Sequence, residues 1–151
     1  MGYSHYWSHE EEIPGDTWVK IAVDAGRLAA AFPAKLSELQ IDGSDIVFNG
    51  APPKDFETFG LSRLPQHTGC KTAHRPYDKL VFAVLSVAKQ HHPPLAVSSD
   101  ALFEGLVIWP DAARWASKVL GRDVPIPWNA RPTIKGWLIE RRRRITSALR
   151  R

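Results

Sequence analysis

Residues 71–78 place several side chains that can bind an anion or exchange a proton in one short stretch. The stretch reads Lys71, Thr72, Ala73, His74, Arg75, Pro76, Tyr77, Asp78. Proline is favourable at the first position of a helix, so Pro76 predicts that a strand passes into a helix here. The N–H groups and positive dipole end of a helix start favour a phosphate or a carboxylate. We therefore expect this corner to hold a nucleotide phosphate, with Lys71, Thr72, His74 and Arg75 as ligands.

The same segment also has a purely structural interpretation. In that interpretation Asp78 complements the helix dipole, Arg75 pairs with a carboxylate, and Tyr77 packs in the core. Tyr77 and Asp78 are nevertheless candidate ligand-binding residues, together with the cations and hydroxyl of the same stretch.

An aromatic strand is predicted at the N-terminus, where residues 2–9 read GYSHYWSH. Alternation along a strand sends His5 and Trp7 to one face and Tyr6 to the other. A nucleobase could stack on Trp7 or Tyr6. If His5 approaches His74 across the sheet, the two imidazoles can act as general acid and general base at a phosphodiester without a metal. The alternative is that Trp7 belongs to the core and His5 hydrogen-bonds locally.

Three further polar residues follow a predicted strand, in the order Ser98, Ser99, Asp100. They are candidates for the same ligand site and are equally suited to cap a turn or a helix. The six histidines raise the question of zinc, but Cys70 is the only cysteine, so a structural zinc site is not expected. No glycine-rich phosphate loop or nucleophile elbow occurs, and no cofactor is expected.

The positive charge of the chain is concentrated at its C-terminus. Residues 131–151 contain eight arginines or lysines and one glutamate, a net charge of +7, whereas residues 1–130 sum to −3. Seven of these cations, all those after Arg131, are expected to contact nucleic-acid phosphates or an acidic protein partner. The seven are Lys135, Arg141, Arg142, Arg143, Arg144, Arg150 and Arg151. A solvated basic helix end is the alternative.

Three motifs resemble those of a family of small uncharacterised proteins from bacterial and bacteriophage genomes, recognised by G-Y-T-H-Y-W, K-T-x-R-x-P-Y-D and V-S-S-D-G. This chain has GYSHYW at 2–7, KTAHRPYD at 71–78 and VSSD at 97–100. The departures from the family pattern are Ser4 for Thr, His74 in the place of Arg with Arg75 one position later, and Ala101 for Gly. The resemblance covers about residues 2–100, implies a phage or prophage context, and carries no activity.

The elements that position these residues follow from hydrophobic periodicity and turn residues. Helices are predicted over about 16–32, 76–91, 110–120 and 133–151, and strands over 2–9, 45–49, 56–61, 70–74 and 95–97, with 62–69 as a loop. This order predicts an α+β fold, with two helices on one face of a small, mainly antiparallel sheet, compatible with a ferredoxin-like arrangement, plus C-terminal helices. Residues 1–124 are predicted to form the α+β domain, and 125–151 a proline-containing connector followed by the basic helix.

Composition and motifs together limit the function. No secretory signal or apolar run of membrane-spanning length occurs, and a lone cysteine fits a reducing compartment, so a cytoplasmic location in a bacterial host is expected. The leading hypothesis is a phage- or prophage-type accessory protein that binds a nucleotide or nucleic acid. The alternatives are a metal-independent phosphodiesterase or nuclease that uses His5 and His74, and an inhibitor that binds a protein of a host defence system. The sequence leaves the oligomeric state open.

Overall fold

The computed structural model describes residues 4–100 and 105–127. Within these residues the chain forms an α+β fold of six strands and three helices, which confirms the predicted class. In chain order the elements are β1 (Ser4–His9), α1 (Gly15–Ala31), β2 (Leu36–Ile41), β3 (Asp45–Gly50), β4 (Phe59–Ser62), β5 (Gln66–Lys71), α2 (Asp78–His91), β6 (Ala96–Ser99) and α3 (Gly105–Leu120). The predicted basic helix over 133–151, with all the cations assigned to it, and position 101 lie outside the described residues.

The strands are antiparallel, as expected, and are divided between two three-stranded sheets. The first has the order β5-β1-β6 and is called the β1 sheet. The second has the order β2-β3-β4 and is called the β3 sheet. Aromatic side chains connect the two sheets, because the Trp7 ring of β1 lies 4.9 Å from that of Phe59 in β4, which lies 4.8 Å from that of Phe48 in β3. The interface between the sheets is therefore part of the hydrophobic core.

Helix α2 packs between α1 and α3. Every residue from Leu80 to Ala88 is buried, which explains its nearly continuous run of apolar side chains. Helix α1 is amphipathic by contrast and buries Trp18, Ile21 and Leu28 while Val19 stays exposed. The helix over 110–120 begins earlier than predicted, since α3 starts at Gly105 and contains Pro110 within it.

Two strands differ from their sequence predictions. Strand β2 was not predicted, because its register shifts between Ser37 and Gln40 and this irregularity breaks the alternation of apolar and polar residues. The predicted loop over 62–69 was wrong at its end, since β5 begins at Gln66. Gly69 suggested a loop but is a strand residue: a Cβ added there would lie 2.6 Å from Cδ1 of Tyr6 and 2.9 Å from the His5 carbonyl oxygen. Only glycine fits below the Tyr6 ring.

No helix in the described part of the chain combines the length and the apolar character required to cross a membrane.

Candidate functional site

Four of the polar residues selected from the sequence meet in one buried cluster, called here the His5 cluster (His5, Thr72, Asp78, Ser99). His5 Nδ1 lies 2.7 Å from Ser99 Oγ, and His5 Nε2 lies 2.6 Å from Asp78 Oδ1. The Thr72 hydroxyl donates to the same Asp78 oxygen. All four residues are buried, and His5 is completely inaccessible to solvent. The cluster therefore connects β1, β6, the residue that follows β5 and the start of α2.

The hydrogen-bond partners place a proton on one ring nitrogen of His5. The Asp78 carboxylate is an acceptor, so Nε2 carries a proton and donates to it. The Ser99 hydroxyl lies 2.7 Å from Nδ1 and donates to the Ser4 carbonyl oxygen at 3.4 Å. Both ring nitrogens of His5 therefore have a polar partner inside the cluster.

Aromatic rings pack against His5 within this cluster. Its ring centroid lies 4.3 Å from that of Phe82 on α2 and 5.7 Å from that of Trp109 on α3. Asp78 lies in the first turn of α2, where a carboxylate is favoured by the helix dipole. The apolar surroundings strengthen the hydrogen bonds of the cluster and make the loss of any one partner costly. The arrangement thus anchors the start of α2 to the middle strand of the β1 sheet.

The loop between β5 and α2 separates its buried residues from its exposed ones. Ala73 and His74 adopt left-handed conformations with φ of 49° and 59°, which are costly for residues other than glycine. The Arg75 N–H donates to the Thr72 carbonyl at 2.9 Å and closes the turn. As a result Thr72 faces the interior, whereas His74 and Arg75 are exposed. The predicted acid–base pair of His5 and His74 therefore has one buried and one exposed member, and it stays a prediction.

Several predicted ligand residues are core or framework residues. Trp7 and Tyr77 are buried, and the Tyr77 hydroxyl donates to the Glu57 carbonyl oxygen at 2.5 Å. Burial raises the pKa of Tyr77 far above its usual value and raises the pKa of the Cys70 thiol to about 12. Cys70 is therefore a protonated thiol at neutral pH and not an activated nucleophile. The Lys71 ammonium lies 5.6 Å from the centre of the Phe56 ring.

The opposite face of the β1 sheet is left open by the described residues and carries the predicted residues Tyr6 and Ser98. Tyr6 projects from the middle strand with 43% of its surface exposed, as the alternation of β1 predicted. Directly opposite it in the neighbouring strands are Gly69 and Ser98. The Tyr6 hydroxyl donates to Asp100 at 3.3 Å. Tyr6 borders a groove of about 180 Å³, called here the Tyr6 groove, whose other lining residues include Ser8, His67, Ala96 and Ser98.

A second polar cluster was missed by the sequence analysis and is called here the Asp24 cluster (Asp24, Gln90, His91, Arg122). Asp24 Oδ2 lies 2.6 Å from His91 Nε2 and 2.5 Å from Arg122 Nη2, while the other oxygen lies 3.2 Å from Arg122 Nη1. Burial opposes ionisation of Asp24, but hydrogen bonds from Arg122 and His91 outweigh it and lower the pKa of this carboxyl. The cluster ties α1 and α2 to the segment after α3.

One sequence signal could have revealed this second cluster. Asp24 lies on the buried face of α1, three positions after Ile21 and four before Leu28, where an unpaired carboxylate would be unfavourable. A charged residue within an apolar helical stripe therefore indicates a buried cationic partner. The sequence does not identify that partner, because Arg122 is 98 positions away.

Neither cluster has the composition of a metal site. Within residues 4–100 and 105–127, no group of three or more histidine, cysteine, aspartate or glutamate side chains is arranged to hold a metal ion. Comparisons with protein-family models, with curated proteins and with solved structures returned no match.

Proposed function

We propose that the protein is a phage- or prophage-type accessory protein that binds a nucleotide or nucleic acid, with the open face of the β1 sheet as its base-stacking surface. The observation that carries the proposal is the exposed Tyr6 ring on the middle strand of that sheet. Proteins that bind single-stranded nucleic acid often present aromatic side chains on which bases stack, including aromatic residues on the face of an open sheet.

The surroundings of Tyr6 suit a stacked base. The ring lies over Gly69, so no side chain from that position competes for the space. Its hydroxyl is occupied by Asp100, which holds the ring in one orientation and leaves the ring face for stacking. Ser98 and His67 at the edges of the Tyr6 groove supply hydrogen-bonding groups for a base.

The cations needed for phosphate come from two places. Arg75 is exposed, and its guanidinium forms no hydrogen bond or ion pair within the described part of the chain. Lys71 lies opposite Ser4 at the edge of the same sheet. Residues 131–151, with a net charge of +7, add a further electrostatic contribution to affinity. In this proposal the sheet supplies preference for unpaired bases and the C-terminal segment supplies salt-dependent affinity.

Fluorescence anisotropy with short labelled single-stranded DNA and RNA tests the role of Tyr6. We expect Tyr6→Ala to weaken binding about tenfold, because one base stack contributes roughly 1–3 kcal/mol. Tyr6→Phe keeps the ring and loses only the exposed hydrogen bond to Asp100, so it should keep most of the affinity. Val23→Ala, which shortens an exposed side chain on α1, is the matched control and should bind as the unmodified protein does. Equal affinity for Tyr6→Ala and the control would exclude the sheet face as the binding surface.

Salt titrations separate the cations from the aromatic surface. We expect Arg75→Ala to weaken binding uniformly across sequences and to reduce the salt slope by about 1. Arg114→Ala is the control, since Arg114 is a highly exposed arginine of α3. Removal of residues 131–151 should flatten the salt dependence and leave the effect of Tyr6→Ala in place. Loss of both effects in the truncated chain would assign binding to the C-terminal segment alone.

The phosphodiesterase alternative is supported by the ordered hydrogen bonds of His5 to Asp78 and Ser99. Cleavage of cyclic or linear nucleotides in the presence of EDTA should then disappear in His74→Ala. His5→Asn is the second variant, and its fold is checked by circular dichroism because His5 is buried. Unchanged cleavage in His74→Ala would exclude the histidine-pair mechanism.

A further inference from the structure

A second groove lies away from the Tyr6 groove, where the end of α1, the segment after β3 and the start of α2 meet. It encloses about 330 Å³. Its apolar walls are formed by Phe32, Pro33, Pro52, Pro53, Pro76 and Tyr77, and it is called here the proline groove. Its size is at the lower end of the range for small-molecule sites in proteins.

The backbone below this groove is closely packed. A Cβ added to Gly50 would lie 2.3 Å from the Lys54 carbonyl oxygen and 3.1 Å from Cδ1 of Tyr77, so the segment from 50 to 54 folds tightly against the start of α2. Proline rings fix the backbone φ and have little side-chain freedom to lose on binding. The walls are therefore largely preformed, and a ligand that enters pays little to order them.

Two lysines give the groove a positive charge. Lys35 and Lys54 both line it, and no acidic residue among 4–100 and 105–127 is part of its lining. Both lysines are exposed, and neither forms an ion pair with any residue of 4–100 or 105–127. Two ammonium groups beside an apolar surface attract a molecule that carries both an apolar body and a negative group.

We propose that the proline groove binds a small organic anion, with an aromatic or other apolar body between the proline rings and a phosphate or carboxylate held by Lys35 and Lys54. This site is separate from the sheet face assigned to nucleic acid and goes beyond that function. The apolar walls select against inorganic anions, and the lysine pair selects against neutral molecules of the same shape.

Phenyl phosphate is a suitable probe, because it combines one aromatic ring with one phosphate group. In an NMR titration of the ¹⁵N-labelled full-length protein, we expect a dissociation constant of about 1 mM. The amide signals of Ala34, Gly50 and Ala51, which line the groove, should shift. Benzyl alcohol, which lacks the charge, and inorganic phosphate, which lacks the ring, should each bind at least about fivefold more weakly.

Charge variants make the test decisive. The double variant Lys35→Gln/Lys54→Gln should weaken phenyl phosphate about tenfold, since two exposed charge contacts are removed. The control Lys20→Gln/Lys118→Gln makes the same change in net charge on exposed faces of α1 and α3 and should bind as the unmodified protein does. Both variants should keep the thermal midpoint, because none of the four ammonium groups is buried.

Three results would overturn the proposal. They are equal binding of phenyl phosphate by the two double variants, equal binding of inorganic phosphate and phenyl phosphate, and amide shifts confined to residues outside the groove. Failure here is distinguishable from failure of the nucleic-acid proposal. Oligonucleotide anisotropy depends on Tyr6, and the two double variants should give the same oligonucleotide affinity as each other.

Discussion

The described part of the chain contains two histidine–aspartate pairs of equal length in different surroundings. His5 Nε2 lies 2.6 Å from an Asp78 oxygen, and His91 Nε2 lies 2.6 Å from an Asp24 oxygen. The two carboxylates are equally buried, but the His5 side chain is 0% exposed and that of His91 is 20% exposed. The pairs therefore differ in their neighbours and in the access of water to the imidazole.

This difference determines what each pair does. In the Asp24 cluster the guanidinium of Arg122 contacts both carboxylate oxygens, so a permanent cation compensates the buried charge. In the His5 cluster the Asp78 carboxylate accepts from an imidazole and a threonine hydroxyl at a helix start. The Asp24 cluster is an electrostatic connection between helices. The His5 cluster is a hydrogen-bonded connection between a sheet and a helix, and it depends on every partner.

The largest loss of folding stability is expected when the carboxylate of the His5 cluster is removed. Asp78→Ala leaves two buried donors, the His5 Nε2–H and the Thr72 hydroxyl, without their acceptor. Each unsatisfied donor costs about 1–3 kcal/mol, so we expect a loss of roughly 2–5 kcal/mol in the free energy of unfolding. Urea denaturation measures this change. Asp78→Asn keeps an acceptor oxygen and should lose less, about 1–3 kcal/mol.

Asp111→Ala is the matched control for that change, because Asp111 is an acidic residue of α3 with a side chain that is 57% exposed. It should change the free energy of unfolding by less than about 1 kcal/mol. If Asp78→Ala were no more destabilising than this control, the His5 cluster would not be the anchor between β1 and α2.

A smaller effect is expected from removing the cation of the Asp24 cluster. Arg122→Ala should cost about 1–2 kcal/mol, because the guanidinium is 34% exposed and water partly replaces its hydrogen bonds to Asp24. The same urea titration measures it, with Arg114→Ala as the control for loss of an exposed arginine of α3. A cost above that of Asp78→Ala would reverse the ranking of the two clusters.

The smallest change in folding stability is expected at His92, which follows His91 in the sequence and lies in a different environment. Its Nε2 is buried without a hydrogen-bond partner in the described part of the chain. Burial is the largest cause that lowers the pKa of His92, and the nearby positive charges of His9 and Lys89 lower it further. The negative charge of Glu11 raises the pKa, but by less. Below about pH 6.5 the unfolded chain therefore takes up the proton first, and folding stability falls as the pH falls toward the lowered value.

Replacing His92 by Leu removes this titration. The variant should lose less stability than the unmodified protein between about pH 7.5 and 5.5, as measured by urea denaturation at each pH. His67→Leu is the control, since His67 is an exposed histidine of β5. An identical pH dependence for His92→Leu and the unmodified protein would contradict the assignment.

The sequence predicted the members of the His5 cluster better than their arrangement. His5 was selected as an imidazole beside two aromatic residues within a predicted strand. Thr72, Asp78 and Ser99 were selected because polar side chains lay at a predicted helix start or followed a predicted strand. Their contacts join residues up to 94 positions apart, and local periodicity carries no information about such distances. The sequence also placed His5 and Tyr6 on opposite faces of β1, since alternation is a local property.

The features that the sequence analysis missed or misassigned also have physical causes. Strand β2 was missed because a bulge interrupts its alternation of apolar and polar residues. Gly69 suggested a loop, but a glycine is required there because the Tyr6 ring of the neighbouring strand leaves no space for a Cβ atom. Asp24 was overlooked because the hydrophobic face of α1 was defined by its apolar members alone. For Gly69 and Asp24 the decisive neighbour is distant in the sequence, whereas the irregularity in β2 is local.

The order of pairing in the two sheets has a consequence for folding. The β3 sheet connects strands that follow one another along the chain, so each pairing closes only a short loop. The middle strand of the β1 sheet is Ser4–His9, and its two neighbours are β5 and the later Ala96–Ser99. During synthesis β1 therefore cannot be paired at both of its edges until the chain has been extended from His9 to Ser99.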